Sequence, residues 1–183
     1  MPREDSDALE VGTFEVTSGK IIVKDPCYDD AYGSTFPAKN GTWIGIIHVA
    51  KGRSARVSAI EARAAGYRHN TLTEVCREGV DSGQMGVFDS SKADASVEDD
   101  YEDICTMTLK TPYGGIIKQY GVVSGTAYGD GEYPVMVSRD LSTGEVTSVL
   151  VEFEAPDDSD GDYPDEDEFI EDERDEDPIE DDK

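Results

Sequence analysis

Short apolar segments recur along the first 153 residues of the chain, and Gly, Pro, Asn and Asp separate them. The segments are rich in Val, Ile, Thr and aromatic residues, which is typical of β-strands joined by tight turns. We therefore predict a mainly β fold, an antiparallel sandwich or a partly open barrel, with about eight strands and one short helix. The predicted strands are 13–17, 20–24, 42–50, 56–62, 79–88, 119–123, 133–138 and 146–153.

Three short polar connections between predicted strands have the composition of hairpin turns. Ser18-Gly19 separates the first two strands, KGRSA at 51–55 separates the next two, and DLSTGE at 140–145 precedes the last. Gly144 in the last connection is free to adopt the positive φ that a hairpin exit often requires. We therefore predict a hairpin at each position.

The last predicted strand alternates in polarity. Val149, Val151 and Phe153 share one face, and Ser148, Leu150 and Glu152 share the other. Such alternation is typical of an antiparallel sheet with one buried and one solvated face. We therefore expect the second face to be mostly wet.

Pro134 lies inside the predicted strand 133–138. Because proline has no N–H to donate to a β-ladder, we expect it at a sheet edge, at a strand start or at a bulge. An exposed edge strand near Pro134 would be a candidate dimer contact.

Residues 90–110 are the best helix candidate. Ser96 would cap a helix over 97–108, with acidic residues in its first turn and Ile104 among the residues on its buried face. The Ala-rich stretch 54–66 is also compatible with a helix. We assign a strand there because it follows a loop of hairpin length.

Composition divides the chain into three parts. Residues 154–183 contain 18 acidic and 2 basic residues, a net charge of −16, whereas residues 1–153 carry the remaining −10 of the total of −26. The few apolar residues after position 153 bury too little surface to offset the entropy of ordering the segment. We therefore predict a flexible N-terminus at 1–10, a single β-rich domain at 11–153 and a disordered acidic tail at 154–183.

The charge of −26 also limits the classes of partner. Phosphate contact requires clustered Lys and Arg, so direct binding to nucleic acid and to anionic membranes is disfavoured. The partners that this charge allows are basic proteins, cations or no specific partner at all. The chain contains no apolar run of membrane-spanning length and no signal-peptide pattern at its start, so we expect cytoplasmic residence.

Cysteines and histidines give little support for catalysis or metal binding. Cys27, Cys76 and Cys105 fit no zinc spacing, and we expect free thiols in or near the core. His48 lies in an apolar strand, where a hydrogen-bonded structural histidine is the default, and a dyad of His69 with Cys76 would need a third, orienting group. The tail sequence DDSDGDYPDEDE fails the EF-hand pattern, so we predict no metal site and no cofactor.

The segment SGTAYGDG is the most glycine-dense part of the chain. A functional interpretation makes it a ligand loop; the candidate residues are Ser124, Gly125, Tyr128, Gly129, Asp130 and Gly131. The alternative, which we favour, is a tight turn in which Asp130-Gly131 supplies the left-handed geometry. The segment matches no phosphate-loop or dinucleotide motif.

A second candidate block is Asp81-Ser82-Gly83 in VDSGQMGVFD. If the protein is a hydrolase, we expect Asp81, Ser82, Asp130 and Tyr133 to act in one cleft, which requires the two blocks to meet in space. The commoner interpretation is an Asx or Ser turn at a strand entry. No GxSxG elbow surrounds Ser82 or Ser124.

Several blocks together resemble a known family. These are SGKIIVKDPCY, VDSGQMGVFD, EDICTMTL and VSGTAYGDGEYPVMV, followed by GEVTSVLVEF. In combination they resemble bacterial and phage proteins of the domain of unknown function 4241 family over roughly residues 12–153. The resemblance implies one β-rich domain and no established activity, and the acidic tail lies outside it.

Our preferred hypothesis is a binding or accessory protein without a catalytic centre, in which the tail serves solubility, salt adaptation or contact with a basic partner. The first alternative is a small hydrolase or ligand-modifying enzyme at the VDSG and GDG blocks. The second alternative is an inhibitor that mimics nucleic acid and occludes a DNA-binding protein.

Overall fold

The computed structural model describes residues 6–28, 32–51, 56–68 and 71–153, with the backbone only at 94–99. The predicted disordered tail at 154–183 and His69 lie outside the described residues.

The described chain forms two antiparallel sheets. Their elements are β1 (Ser6–Val16), β2 (Lys20–Lys24), β3 (Ser34–Pro37), β4 (Gly41–Ala50), β5 (Val57–Ala64), β6 (Thr73–Val80), β7 (Gln84–Asp89), α1 (Ser90–Thr108), β8 (Gly114–Ile117), β9 (Gly121–Gly125), β10 (Gly131–Arg139) and β11 (Val146–Glu152). A six-stranded sheet has the order β1-β4-β5-β11-β10-β6, and a five-stranded sheet has the order β3-β2-β7-β9-β8. The mainly β, antiparallel, sandwich-like fold is therefore confirmed, and it is not a closed barrel.

The number of strands exceeds the predicted eight. Strands β3 and β8 were not predicted, and the predicted strand 79–88 covers the end of β6 and all of β7 but its last residue, in different sheets. The turn at 81–83 separates these two strands. Apolar residues on both sides of that turn give one continuous pattern, which conceals the change of sheet.

The main core lies between the sheets. Large side chains from both sheets meet there, including Trp43, Ile47, Ile60, Val87 and Val149. The ring of Phe14 lies 6.4 Å from that of Trp43, between centroids. Burial of these apolar faces is the principal force holding the two sheets together.

A second, smaller core lies on the outer face of the five-stranded sheet, where α1 packs. It contains Phe88, Ile104, Ile117 and Val123 among other residues. The helix is capped by Asp89, whose side chain accepts a hydrogen bond from the Ser91 N–H, and not by Ser96 as predicted. It therefore begins directly at the end of β7, and the acidic residues near position 99 lie in its middle.

Two of the three predicted hairpins are confirmed. β4 pairs with β5, and β10 pairs with β11, where Gly144 has φ 74°. The Ser18-Gly19 prediction is wrong, because β1 pairs with β4 whereas β2 pairs with β3 and β7. That turn carries the chain from one sheet to the other.

The start of the domain also needs correction. Strand β1 begins at Ser6, which pairs with Ala50, so residues 6–10 belong to the sheet and not to a flexible N-terminus. The alternation in this segment is weak because β1 is an edge strand and most of its side chains are exposed.

Pro134 is not on an edge strand, because β10 lies between β11 and β6. A register shift in the β10–β6 pair follows it, between Val135 and Met136, which agrees with the expected association with a bulge. The edge strand on this side of the sheet is β6, and the proposed dimer edge at Pro134 is not present in the described fold.

The prediction that one face of β11 is wet is also wrong, because Ser148 and Leu150 on that face are both buried.

Within the described residues, no helix combines the length and the apolar character that crossing a bilayer requires.

Candidate functional site

The two blocks that the sequence analysis singled out meet at one end of the sandwich. Val80 pairs with Gly131 in the six-stranded sheet, and Gln84 pairs with Gly125 in the five-stranded sheet. The β6–β7 turn (81–83) and the β9–β10 loop (126–130) therefore leave from neighbouring strand ends. The Thr126 N–H donates a 2.8 Å hydrogen bond to the Gly83 carbonyl. We call this region, residues 25–28, 81–83 and 126–130, the loop end.

Asp25 organises the β6–β7 turn. Its Oδ2 accepts hydrogen bonds from the Asp81 N–H at 2.9 Å and the Ser82 N–H at 2.8 Å. Its Oδ1 accepts from the Cys27 N–H at 2.8 Å and from the Ser82 hydroxyl at 2.6 Å. The carboxylate is buried and joins the segment 25–28 to the β6–β7 turn. Sequence reasoning missed Asp25, although an Asp-Pro pair directly after a strand is a turn signal.

Asp81 lies on the surface beside an aromatic pair. The Tyr28 hydroxyl donates a hydrogen bond to Asp81 Oδ2, and this bond is the main reason that the pKa of Tyr28 is raised to about 12. The Tyr28 ring lies 5.5 Å from that of Tyr32, between centroids, and Tyr32 is 64% exposed. The turn therefore presents a carboxylate next to two tyrosine rings.

Two side-chain hydrogen bonds stabilise the β9–β10 loop. The hydroxyls of Tyr133 and Thr126 both donate to the Gly129 carbonyl, at 2.9 and 2.7 Å. Gly129 has φ 78°, a conformation that favours glycine. Tyr133 is buried, its ring packs edge-on against Phe153, and burial raises the pKa of its hydroxyl. These contacts are typical of a turn, the interpretation that the sequence analysis favoured.

The other ligand-loop candidates are divided between surface and interior. Tyr128 is 36% exposed and Asp130 is exposed. Ser124 is completely buried, and its hydroxyl has no hydrogen-bond partner in the described residues. A ligand on the surface of the loop would therefore meet Tyr128 and Asp130 but not Ser124.

A cavity of about 250 Å³ adjoins this loop. It is lined by Arg56, Val57, Thr108, Tyr113, Gly125, Thr126 and Ala127. The Arg56 guanidinium lies 6.0 Å from the centroid of the Tyr128 ring, and Arg56 Nη1 donates to the Ala127 carbonyl at 3.5 Å. Of the predicted site residues, only Gly125 lines the cavity.

The four residues proposed for an enzyme lie in the same region but are engaged differently. The hydroxyls of Ser82 and Tyr133 donate to Asp25 and Gly129, whereas Asp81 and Asp130 face solvent. His48 lies on the outer face of the six-stranded sheet, where its Nε2 is 2.9 Å from Glu61 Oε2. Its predicted structural role is confirmed, and it supplies no base at the loop end.

The cysteines show one difference from expectation. All three are free, but Cys27 is exposed at the loop end, whereas Cys76 and Cys105 are half-buried. Burial raises the pKa of the Cys76 thiol, which disfavours the thiolate. In the described part of the chain, no group of three His, Cys, Asp or Glu side chains is arranged to hold a metal ion.

Comparisons of the chain with protein-family models, with curated proteins and with solved structures found no match. The resemblance to the domain of unknown function 4241 family therefore stays a prediction.

Proposed function

We propose that this protein is a non-enzymatic binding or accessory protein whose loop end recognises a basic segment of a partner protein. The observation that carries the proposal is the convergence of the VDSG turn and the glycine-rich loop, joined by the hydrogen bond from Thr126 to Gly83. This convergence brings exposed carboxylates and tyrosine rings to one surface.

The chemistry of that surface favours a cationic ligand. Tyr32 and Tyr128 are exposed, and so are the acidic residues Asp81 and Asp130. Lys and Arg side chains bind to such rings by cation–π contact and to carboxylates by charge-assisted hydrogen bonds. The Arg56 guanidinium, 6.0 Å from the centroid of the Tyr128 ring, is an example of such a contact within the chain.

The overall charge supports the same class of partner. A net charge of −26 attracts cationic partners over a distance and accelerates their association, most strongly at low ionic strength. We assign the acidic segment 154–183 an accessory role in this attraction and in solubility or salt adaptation.

The proposal can be tested by nuclear magnetic resonance titration of the full chain with an octalysine peptide, with octaglutamate as the control peptide. We expect the resonances of Tyr32, Asp81, Tyr128 and Asp130 to shift with octalysine only. The double variant Asp81→Asn/Asp130→Asn should weaken the binding at these positions several-fold. The matched double variant Asp7→Asn/Glu74→Gln alters two exposed acids on the edge strands and should leave that binding unchanged. Shifts confined to residues 154–183 would refute the proposal.

One observation also favours a second candidate, the small hydrolase. The contact between the two blocks is the condition that this hypothesis required. Against it, the Ser82 hydroxyl already donates to a buried carboxylate and no described imidazole lies nearby. Hydrolysis of p-nitrophenyl esters by the wild-type chain, abolished by Ser82→Ala, would favour the hydrolase instead.

A further inference from the structure

Two of the three cysteines contact the same tyrosine. The hydroxyl of Tyr101, in α1, makes hydrogen-bond contacts with the thiols of both Cys27 and Cys105. Cys27 belongs to the loop end, whereas Cys105 lies one helical turn after Tyr101 on the same face of α1. Two sulfur atoms that share one hydroxyl partner are neighbours in space, although their residues are 78 positions apart in the chain. We call Cys27 and Cys105 the thiol pair.

The strand register also brings the turn that carries Cys27 toward α1. β2 pairs with β7 as far as Lys24, and the turn at 25–28 follows directly. Extension of the same register places this turn beside Gln84, at the start of β7. The Gln84 amide nitrogen lies 3.6 Å from the Cys105 sulfur. The two cysteines therefore lie at the same end of β7.

Asp25 fixes the position of that turn. The Cys27 N–H donates to its carboxylate at 2.8 Å, and the Ser82 hydroxyl donates to the same oxygen at 2.6 Å. Ser82 is two residues from Gln84, which contacts Cys105. These contacts do not involve Tyr101, and they place the thiol pair in the same small region.

The two thiols differ in exposure, which suits a stepwise oxidation. Cys27 is exposed and can meet an oxidant in solution, whereas Cys105 is half-buried. Burial and the hydrogen bonds with both thiols raise the pKa of Tyr101, so its hydroxyl stays protonated near neutral pH. A hydroxyl that donates to sulfur favours the thiolate, which is the reactive form of cysteine.

We propose that Cys27 and Cys105 form a reversible disulfide that joins the loop end to α1 when the protein meets a peroxide. The Cys27 thiolate attacks one oxygen of hydrogen peroxide, so that an S–O bond forms and the O–O bond breaks. The hydroxide that leaves takes up the thiol proton and becomes water.

The second step closes the disulfide. The Cys105 sulfur attacks the sulfenic sulfur of Cys27, so that the S–S bond forms, the S–O bond breaks and a second water leaves. In total the two thiols lose two electrons and two protons, and one peroxide is reduced to two waters.

Peptide mapping of the full chain tests this proposal. Trypsin places the three cysteines in separate peptides, 25–39, 69–77 and 93–110. After treatment with equimolar hydrogen peroxide and then iodoacetamide, we expect 25–39 to be linked to 93–110 and 69–77 to be alkylated. Dithiothreitol should release the linked peptides. Links that involve 69–77 in equal amount, or links only between two copies of the chain, would overturn the proposal.

Oxidation in concentrated urea is a control that reverses the expected product. In an unfolded chain the shorter loop closes more readily, and Cys76 is 29 positions from Cys105 whereas Cys27 is 78. We therefore expect the Cys76–Cys105 link to exceed the Cys27–Cys105 link about fourfold in urea. In buffer the Cys27–Cys105 link should dominate. The same ratio of products in both solutions would contradict the proposal.

Single substitutions test the order of the two steps. Cys105→Ser should abolish the link and leave a sulfenic acid at Cys27, which dimedone traps on peptide 25–39. The matched variant Cys76→Ser removes a half-buried thiol that contacts Ser34 and should leave the yield of the link unchanged. A dimedone adduct on 69–77 instead of 25–39 would show that Cys27 is not the thiol that reacts first.

Tyr101→Phe tests the contribution of the hydroxyl. This variant keeps the ring and removes the donor, so we expect trapping by dimedone at Cys27 to slow several-fold. Equal rates for Tyr101→Phe and the wild type would refute the role of Tyr101, and the peptide map of the wild-type chain tests the disulfide itself.

Discussion

The two outer faces of the sandwich are both buried, but they differ in composition. In the five-stranded sheet, Phe88 and Val123 point toward α1, and the apolar face of this helix covers them. The six-stranded sheet turns His48, Glu61, Ser148 and Leu150 outward, a mixture that looks solvated in the sequence. Polar alternation along a strand therefore does not establish exposure, because a polar side chain can be buried when it has a partner.

The largest effect should follow from removing Glu61, the buried carboxylate on the outer face of the six-stranded sheet. We call this face, with His48, Glu61, Ser148 and Leu150, the mixed face. We expect Glu61→Ala to lower the free energy of unfolding by about 3–5 kcal/mol, because it leaves His48 and Arg63 without their shared partner. Urea denaturation measures this change. The control Glu74→Ala removes an exposed i,i+3 partner of Arg77 and should change stability by less than about 0.5 kcal/mol. Equal effects would mean that the outer face is solvated.

A matched pair of truncations compares the two outer faces directly. Ile104→Ala under α1 and Leu150→Ala on the mixed face each remove a completely buried side chain. Both should lower the free energy of unfolding by about 2–5 kcal/mol. Urea denaturation of the two variants measures both effects. An effect of Leu150→Ala of less than about 0.5 kcal/mol would contradict the burial of this side chain.

Asp89, the N-cap of α1, should make the stability of the fold sensitive to acid. Burial opposes ionisation of Asp89, but hydrogen bonds from Ser18, Thr17 and Ser91 outweigh it and lower its pKa. A lowered pKa in the folded state stabilises the fold above the unfolded-chain value of about 3.9. This stabilisation is therefore lost as the pH falls below about 4.

Substitution of Asp89 separates its part of the acid-induced loss of stability from that of the other carboxylates. At pH 7 we expect Asp89→Ala to lower the free energy of unfolding by about 1–2 kcal/mol, as for other N-cap residues. Urea denaturation at pH values from 7 down to 2 should show a smaller acid-induced loss for Asp89→Asn than for the wild type. A parallel pH dependence in both chains would exclude Asp89 as the group responsible.

The smallest effect on stability should come from substitution of Arg63, at the rim of the mixed face. Arg63 lies 3.5 Å from Glu61 and 3.9 Å from the exposed Glu10. We expect Arg63→Gln to lower stability by about 1 kcal/mol at low salt and by less in molar NaCl, where charges are screened. Thermal unfolding in both buffers measures the difference, with Arg77→Gln as an exposed control. A larger effect at high salt would contradict an electrostatic role.

Much of the fold could be predicted from local patterns. The strand at 20–24 matches β2, and the Ala-rich stretch 54–66 contains β5. The hairpins around 51–55 and 140–145 followed from turn chemistry between neighbouring strands, which involves only nearby residues. The helix was found, but its start was placed at Ser96 because an N-cap signal inside it competed with Asp89.

The candidate site was only half predictable. The VDSG and GDG blocks were singled out as turn-like, and both are turns that touch each other. Asp25 was missed because its partners Asp81 and Ser82 lie 56 and 57 residues away, and no local pattern reports such a contact. Tyr133 was proposed as a reacting group, although its hydroxyl braces the loop from the interior.

Local sequence patterns establish which segments extend, where tight turns occur and how the charge divides at residue 154, because these properties depend on side chains close together in the chain. Long-range packing establishes which sheet each strand joins, that the turn at 81–83 crosses between sheets, and that Leu150 is buried. Those outcomes depend on contacts between residues far apart in the sequence, where the burial of one face is settled by what packs against it.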